Sequence, residues 1–343
     1  FNVVRSDDGG HTWSSPVVIA DHIVAAPRYL DDDKVMLIAD PNDASGDTVY
    51  MVWDRYVNAN GWFNRQNDNP KFRYNGGRAS VFMSKTIDGG QTWSAPKEIY
   101  RPGSNAWSTG PQLAIQPNGT IVLVTNIQVK TKYGAKYTYP VYMVATRSID
   151  GGATWGTPTR IARVAPSQVF DPVTFRYIRA GGDYAPLAEL ATDAATGRLY
   201  LIWQDGGLDP AFCGFNWCTG NVFLSSSTDG RRWTTPYRID KAGSNPAFNP
   251  MIAVASDGTV GVSYSSFRTG RNAVSYWLVQ CSANCESSGA TWAETGLGGA
   301  TDDSSFLLSE APYAFGEFLG DYQGVAATSR GFQAFLAVPG TSQ

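Results

Sequence analysis

Ser6-Asp7-Asp8-Gly9-Gly10-His11-Thr12-Trp13 recurs as Thr86-Ile87-Asp88-Gly89-Gly90-Gln91-Thr92-Trp93, as Ser148-Ile149-Asp150-Gly151-Gly152-Ala153-Thr154-Trp155, and in shortened form as Ser227-Thr228-Asp229-Gly230-Arg231-Arg232-Trp233. A decayed copy, Gly289-Ala290-Thr291-Trp292, follows. The copies lie roughly 60 to 80 residues apart, the spacing of one supersecondary unit used repeatedly. Each aspartate can accept backbone N–H bonds inside the turn, the glycine supplies positive φ, and the tryptophan can pack between neighbouring units. Asp8, Asp88, Asp150 and Asp229 are therefore read as residues that close hairpins.

A second repeat lies between these strings. Lys34 to Ala39, Gln112 to Ile115, Pro186 to Leu190, Pro250 to Val254 and Tyr322 to Ala327 are short apolar strands. Each is followed by a polar turn and a β-rich partner, as in Pro117-Asn118-Gly119 before Thr120 to Thr125. The pattern predicts an all-β chain of four-stranded units over 33–100, 110–162, 184–239 and 248–297. An inner pair at 320–338 and an outer pair at 1–19 would complete one more unit, N- and C-terminal strands closing it together. A repeat running through most of 343 residues argues for one domain, 1–343.

The Ser-x-Asp-x-Gly-x-Thr-Trp string resembles the Asp-box, or bacterial neuraminidase repeat, of the sialidase-like β-propeller superfamily, and the resemblance covers most of the chain. It implies a β-propeller of four-stranded blades: six by the family habit, five by strict count of this sequence. It is specific for the fold and weak for the activity.

Net charge is −3 and the pI near 5.5, with Lys and Arg scattered, which speaks against a nucleic-acid or anionic-membrane partner and favours a glycan. No apolar run is long enough to span a bilayer. The chain begins inside a strand pattern, as expected if a signal peptide has been removed. The four cysteines fall as two close pairs, Cys213 with Cys218 and Cys281 with Cys285, read as two disulfides of a secreted, monomeric protein. A zinc site would lack histidine support, since His11 and His22 are the only two. Asp31-Asp32-Asp33 and Asp302-Asp303 could hold calcium, but without EF-hand spacing a solvated acidic loop is the simpler reading, and no cofactor is expected.

The topology sorts loops by face. Asp–Gly turns and inner hairpins share one face, and long aromatic-rich loops, 20–33, 54–80, 100–111, 126–141, 163–184, 204–221, 265–274 and 298–321, share the other. Function is expected on the second face. Two of these loops end alike, at Gly182-Asp183-Tyr184 and Gly320-Asp321-Tyr322, each at the mouth of an inner strand. Asp183 and Asp321 are the candidate carboxyl pair of a glycoside hydrolase, with Glu310, Tyr184 and Tyr322 nearby; strand-end capping is their structural alternative. Glu189, inside an inner strand, needs a partner if charged. The resemblance implies arginines that clamp a substrate carboxylate, for which Arg28, Arg55, Arg179 and Arg268 are candidates. The family's Phe-Arg-Ile-Pro segment ahead of the first Asp-box is absent, so the clamp does not transfer residue by residue. Trp62, Trp107 and Trp217 are candidate sugar platforms. The function expected is a secreted glycosidase, exo-sialidase-like by resemblance, acting on an oligo- or polysaccharide. A lectin-like propeller, a polysaccharide lyase and an arabinanase-like hydrolase are the alternatives.

Overall fold

The structure, a computed structural model, describes residues 1–21, 29–58, 78–103, 106–133, 136–165, 167–170, 177–179, 186–207, 218–267, 273–297, 306–307, 310–311, 316–320 and 323–336. Among them there are strands and turns but no helix. The chain forms two compact units, Phe1–Pro140 with Thr146–Pro158, and Val141–Ala145 with Thr159–Gln343.

In the first unit the strands Tyr29–Ala39, Val49–Asn58, Arg78–Thr86 and Lys97–Tyr100 form an antiparallel meander. Alternation along Val49–Asn58 explains how both of its faces are covered. Tyr50 and Val52 join Val81, Met83, Leu113, Ile115, Ile121 and Leu123 in one core, and Met51 and Trp53 join Ile19 in another. The N-terminal pair Asn2–Val3 and Val17–Val18 belongs to the second core, where Phe1 meets Trp53 edge-to-face at 5.9 Å between ring centres. Trp53 is fully buried, and truncating so large a ring typically costs about 3–5 kcal/mol.

The second unit holds two complete meanders, Glu189–Thr192 through Tyr237–Arg238 and Ala247–Val254 through Ala293–Gly296. Tyr200, Ile202, Val222 and Leu224 of the first share a core with Val260, Val262, Tyr264 and Val279 of the second. A hairpin, Gly324–Thr328 with Gly331–Phe335, follows. Its Phe332 ring lies so close to Gly261 that a Cβ there would approach within 2.5 Å. Three of the four expected blades thus appear whole, and the strands of the remaining one, 110–162, are divided between the units. The terminal pairs expected to complete a blade form two separate two-stranded sheets among the described residues.

The Asp–Gly turns close as their sequence requires. Asp8, Asp88 and Asp150 accept Thr12, Thr92 and Thr154 N–H at 2.8, 2.9 and 2.8 Å, and the same threonines' hydroxyls at 2.6, 2.5 and 2.5 Å. Gly10, Gly90 and Gly152, all at positive φ, donate N–H to Ser6, Thr86 and Ser148 hydroxyls. These bonds, the threonine hydroxyl first, hold the three carboxyls down at about 2. The shortened copy has Asp229 accepting from Arg231 and Arg232 N–H, both at 2.8 Å. Arg5 and Lys85, each one residue before a turn, donate to Gly89 and Gly151 carbonyls of the next turn at 2.8 and 3.3 Å. Trp155 packs against the core of Tyr50 and Met83 as expected, whereas Trp13 departs from the rule, 62% exposed with its ring N–H turned back to Gly10.

Turns and inner hairpins share one end of the first unit. Gly89 N–H bonds Asp47 carbonyl, and Asn42 reaches the Gln116 carbonyl of the next hairpin. Cys281 and Cys285 form a disulfide; Cys213 lies outside the described residues, and of Cys218 only the backbone is described.

Candidate active site

Three of the loops expected to be irregular are partly strand. Ser167–Phe170, Tyr177–Arg179, Cys218–Thr219, Glu310–Ala311 and Gly316–Phe318, drawn from 163–184, 204–221 and 298–321, form a five-stranded sheet within the second unit. It is built from short pieces because apolar residues beneath it give the backbone somewhere to sit: Val169, Ile178 and Leu319 are buried with Phe248, Phe267, Val274 and Tyr276. Two of its pairings are parallel and join segments remote in sequence, Ser167 with Cys218 and Ile178 with Glu317.

The second of these matters for the candidate carboxyl pair. Tyr177–Arg179 runs on to Gly182-Asp183-Tyr184, and Gly316–Phe318 runs on to Gly320-Asp321-Tyr322. Pairing of Arg179 with Phe318 puts the two backbones one strand spacing apart, about 4.8 Å, three residues before Gly182 and two before Gly320 in sequence. Asp183, Tyr184, Asp321 and Tyr322 themselves lie outside the described residues. Glu310 sits opposite Glu317 in register. Three of the five expected inner strands begin before their expected starts, because each carries a bulge with a left-handed residue at the mouth: Lys34, Gly110 and Asn249, at φ 55°, 67° and 50°.

Carboxyls at these mouths are electrostatically unlike those in the turns. Glu189 opens the strand after Asp183 and Tyr184. Although part of the residue is accessible, enclosure of its carboxyl raises it to about 8, so it keeps its proton at neutral pH. In the first unit Asp54 is fully buried, with one oxygen accepting Gly110 N–H at 2.7 Å and the other without a hydrogen-bond partner. Burial lifts it to about 7 against the lowering influence of Ser108 and Gly110. Sequence reading missed Asp54; its signal was a carboxylate directly after the buried Trp53, in a strand apolar on both faces. Asp205 holds the corresponding corner of the second unit with every oxygen used, accepting from Trp203 ring N–H at 2.8 Å and from Gly207 and Ala165 N–H at 2.8 and 3.2 Å.

Of the arginine candidates, Arg55 is already engaged. Its guanidinium grips Asp32 through two bonds of 2.7 and 3.0 Å and lies 4.3 Å over the Phe82 ring. Arg179 is fixed in backbone register only, and Arg28 and Arg268 lie outside the described residues, as do Trp62 and Trp217. Trp107 is half-buried in Ala106–Ile115, opposite Gln128. Among the described residues no three His, Cys, Asp or Glu side chains converge on a cation position, and Asp302-Asp303 lies outside them.

A solved structure of a Dyadobacter fermentans protein of unknown function superposes on 90% of this chain and 79% of its own, with a TM-score of 0.51 at 14% identity. The fold, all-β with four-stranded antiparallel meanders, is the one that the Asp-box resemblance implies. Other propellers similar to it include an α-L-arabinofuranosidase of Fusarium graminearum (TM-score 0.47, 15% identity, 80% of this chain and 68% of that one). An intramolecular trans-sialidase of Ruminococcus gnavus is more distant (0.35, 11%, 90% and 91%). At such identities the likeness is one of fold. No protein-family model and no curated protein matches the sequence.

Proposed function

We propose that this propeller is a secreted, monomeric glycoside hydrolase acting on an oligo- or polysaccharide, with Asp183 and Asp321 as its paired carboxyl groups. The observation that supports this reading is the parallel pairing of Tyr177–Arg179 with Gly316–Phe318, the strands that precede the two Gly-Asp-Tyr runs in sequence. Glycoside hydrolysis needs two carboxyl groups on either side of one bond, one to give a proton and one to act as base or nucleophile. At a separation of about 6.5–9.5 Å a water fits between the carboxyls and the anomeric centre inverts, whereas at about 5–5.5 Å it is retained. Glu189, protonated at neutral pH, stands six residues after Asp183 as a second source of the proton. Arg179 and Arg268 would recognise an acidic or furanose sugar, with Trp217 as a platform for its ring and Glu310, Tyr184 and Tyr322 around it.

The test is hydrolysis of sialosides, arabinans and uronic acid polymers by the wild type, Asp183→Asn and Asp321→Asn. Each variant should lose about 10²–10⁴-fold in kcat while its Tm stays near the wild-type value. Full activity in both variants sinks the carboxyl pair. Glycan binding without product would instead make the protein a lectin, and an unsaturated uronate product would make it a lyase.

A further inference from the structure

Asn249 occupies the bulge of Ala247–Val254, at left-handed φ 50° and only 1% exposed. Its carboxamide Nδ2 donates to the carbonyl of Gly320 at 3.0 Å, across 71 residues of sequence. Gly320 is itself left-handed, at φ 100°, and Leu319 beside it is anchored in the core with Ile178 and Phe248. Because the acceptor is a carbonyl, the amide's orientation is fixed with its nitrogen toward Gly320. The other end of the amide, Oδ1, is buried without a hydrogen-bond partner.

That orphaned oxygen is informative. A left-handed position alone is served best by glycine, as at Gly110 in the equivalent bulge, and an unpaired buried oxygen costs stability. Asparagine here carries that cost while its nitrogen holds the peptide directly before Asp321. We propose that Asn249 is a positioning residue, whose N–H grip on the Gly320 carbonyl fixes the peptide that leads into Asp321 for the reaction. The inference deepens the hydrolase reading and rests on it for the role of Asp321, although the grip on the turn is testable without any substrate.

Two variants separate the grip from the backbone requirement. Asn249→Gly keeps the left-handed conformation and loses the bond. Asn249→Asp keeps the shape but turns an acceptor toward Gly320 until its carboxyl is protonated, when its O–H can donate again. Amide hydrogen exchange should speed up at least about 10-fold over 319–323 in Asn249→Gly, with the amides of Ala247–Val254 unchanged. On the substrate found in the hydrolysis screen, kcat should fall at least about 10-fold in that variant with KM held, and Asn249→Asp should recover relative to wild type as pH falls. Unchanged exchange at 319–323 in Asn249→Gly overturns the inference, whatever the activity. Faster exchange with undiminished kcat overturns it as well, since the turn Asn249 holds would not be the one the reaction uses. A wild type inert on every glycan sinks the hydrolase reading by itself, and the exchange result then decides the grip.

Discussion

The carboxylates of the Asp–Gly turns and those at the mouths of the inner strands are the same chemical group put to opposite use. Asp8 and Asp150 are exposed and Asp88 half-buried, yet all three are saturated by hydrogen bonds, from their own threonines first, and sit at about 2. Asp54 and Glu189 are enclosed with too few donors, and sit at about 7 and 8. Bond supply, not burial alone, separates a carboxylate that fastens a turn from a carboxyl that holds a proton. Asp205, enclosed but fed by three donors, lies between: burial pushes it up and its donors push it back.

The largest effect that would break this contrast is the pH dependence of stability. Asp54 binds its proton more tightly folded than unfolded, so its contribution is greatest below about pH 4, declines as pH rises to about 7, and is flat beyond. The turn aspartates run the other way, contributing above about pH 4 and losing that contribution as pH falls toward 2. Denaturant unfolding at pH 4.5, 6 and 7.5 should show Asp54→Asn freed of a decline on the order of 2–4 kcal/mol that the wild type suffers. An identical slope in both would mean that Asp54 is not protonated in the fold. A smaller loss, about 1–2 kcal/mol, is expected for Gly152→Ala, because the turn needs positive φ and the new methyl would meet the Met83 terminus at 2.5 Å. Wild-type stability in that variant would show that the turn does not depend on its glycine. Arg5→Met, which removes the bond to the Gly89 carbonyl together with the exposed pairing to Asp7, should cost about 0.5 kcal/mol in chemical unfolding. A loss several times larger would make the links between turns, rather than the bonds inside them, the main support of that end.

The same contrast decides what could be read in advance. The turn end is encoded within eight consecutive residues, so Ser6 to Trp13 and its copies disclosed both the bonds and the blades they close. The inner hairpins were legible because Pro117-Asn118-Gly119 and Ser256-Asp257-Gly258 are local signals too. The five-stranded sheet was not: its strands are two to four residues long, too short for any periodicity, and its parallel partners are remote in the chain. Arg55 was read as a sugar ligand because its grip on Asp32 crosses a strand pair whose extension past Asp33 depends on the left-handed Lys34, and nothing in a lysine announces that conformation.

Joining Ile178 to Glu317 also imposes an order of events. The two segments are made far apart in time, so this part of the sheet can assemble only once Gly316–Phe318 has been synthesised. A chain interrupted before Gly316 would keep the pairing of Tyr177–Arg179 with Ser167–Phe170 but lack its parallel neighbour on the other side. The parallel join is thereby a late event, closed by a segment made long after the strand it meets.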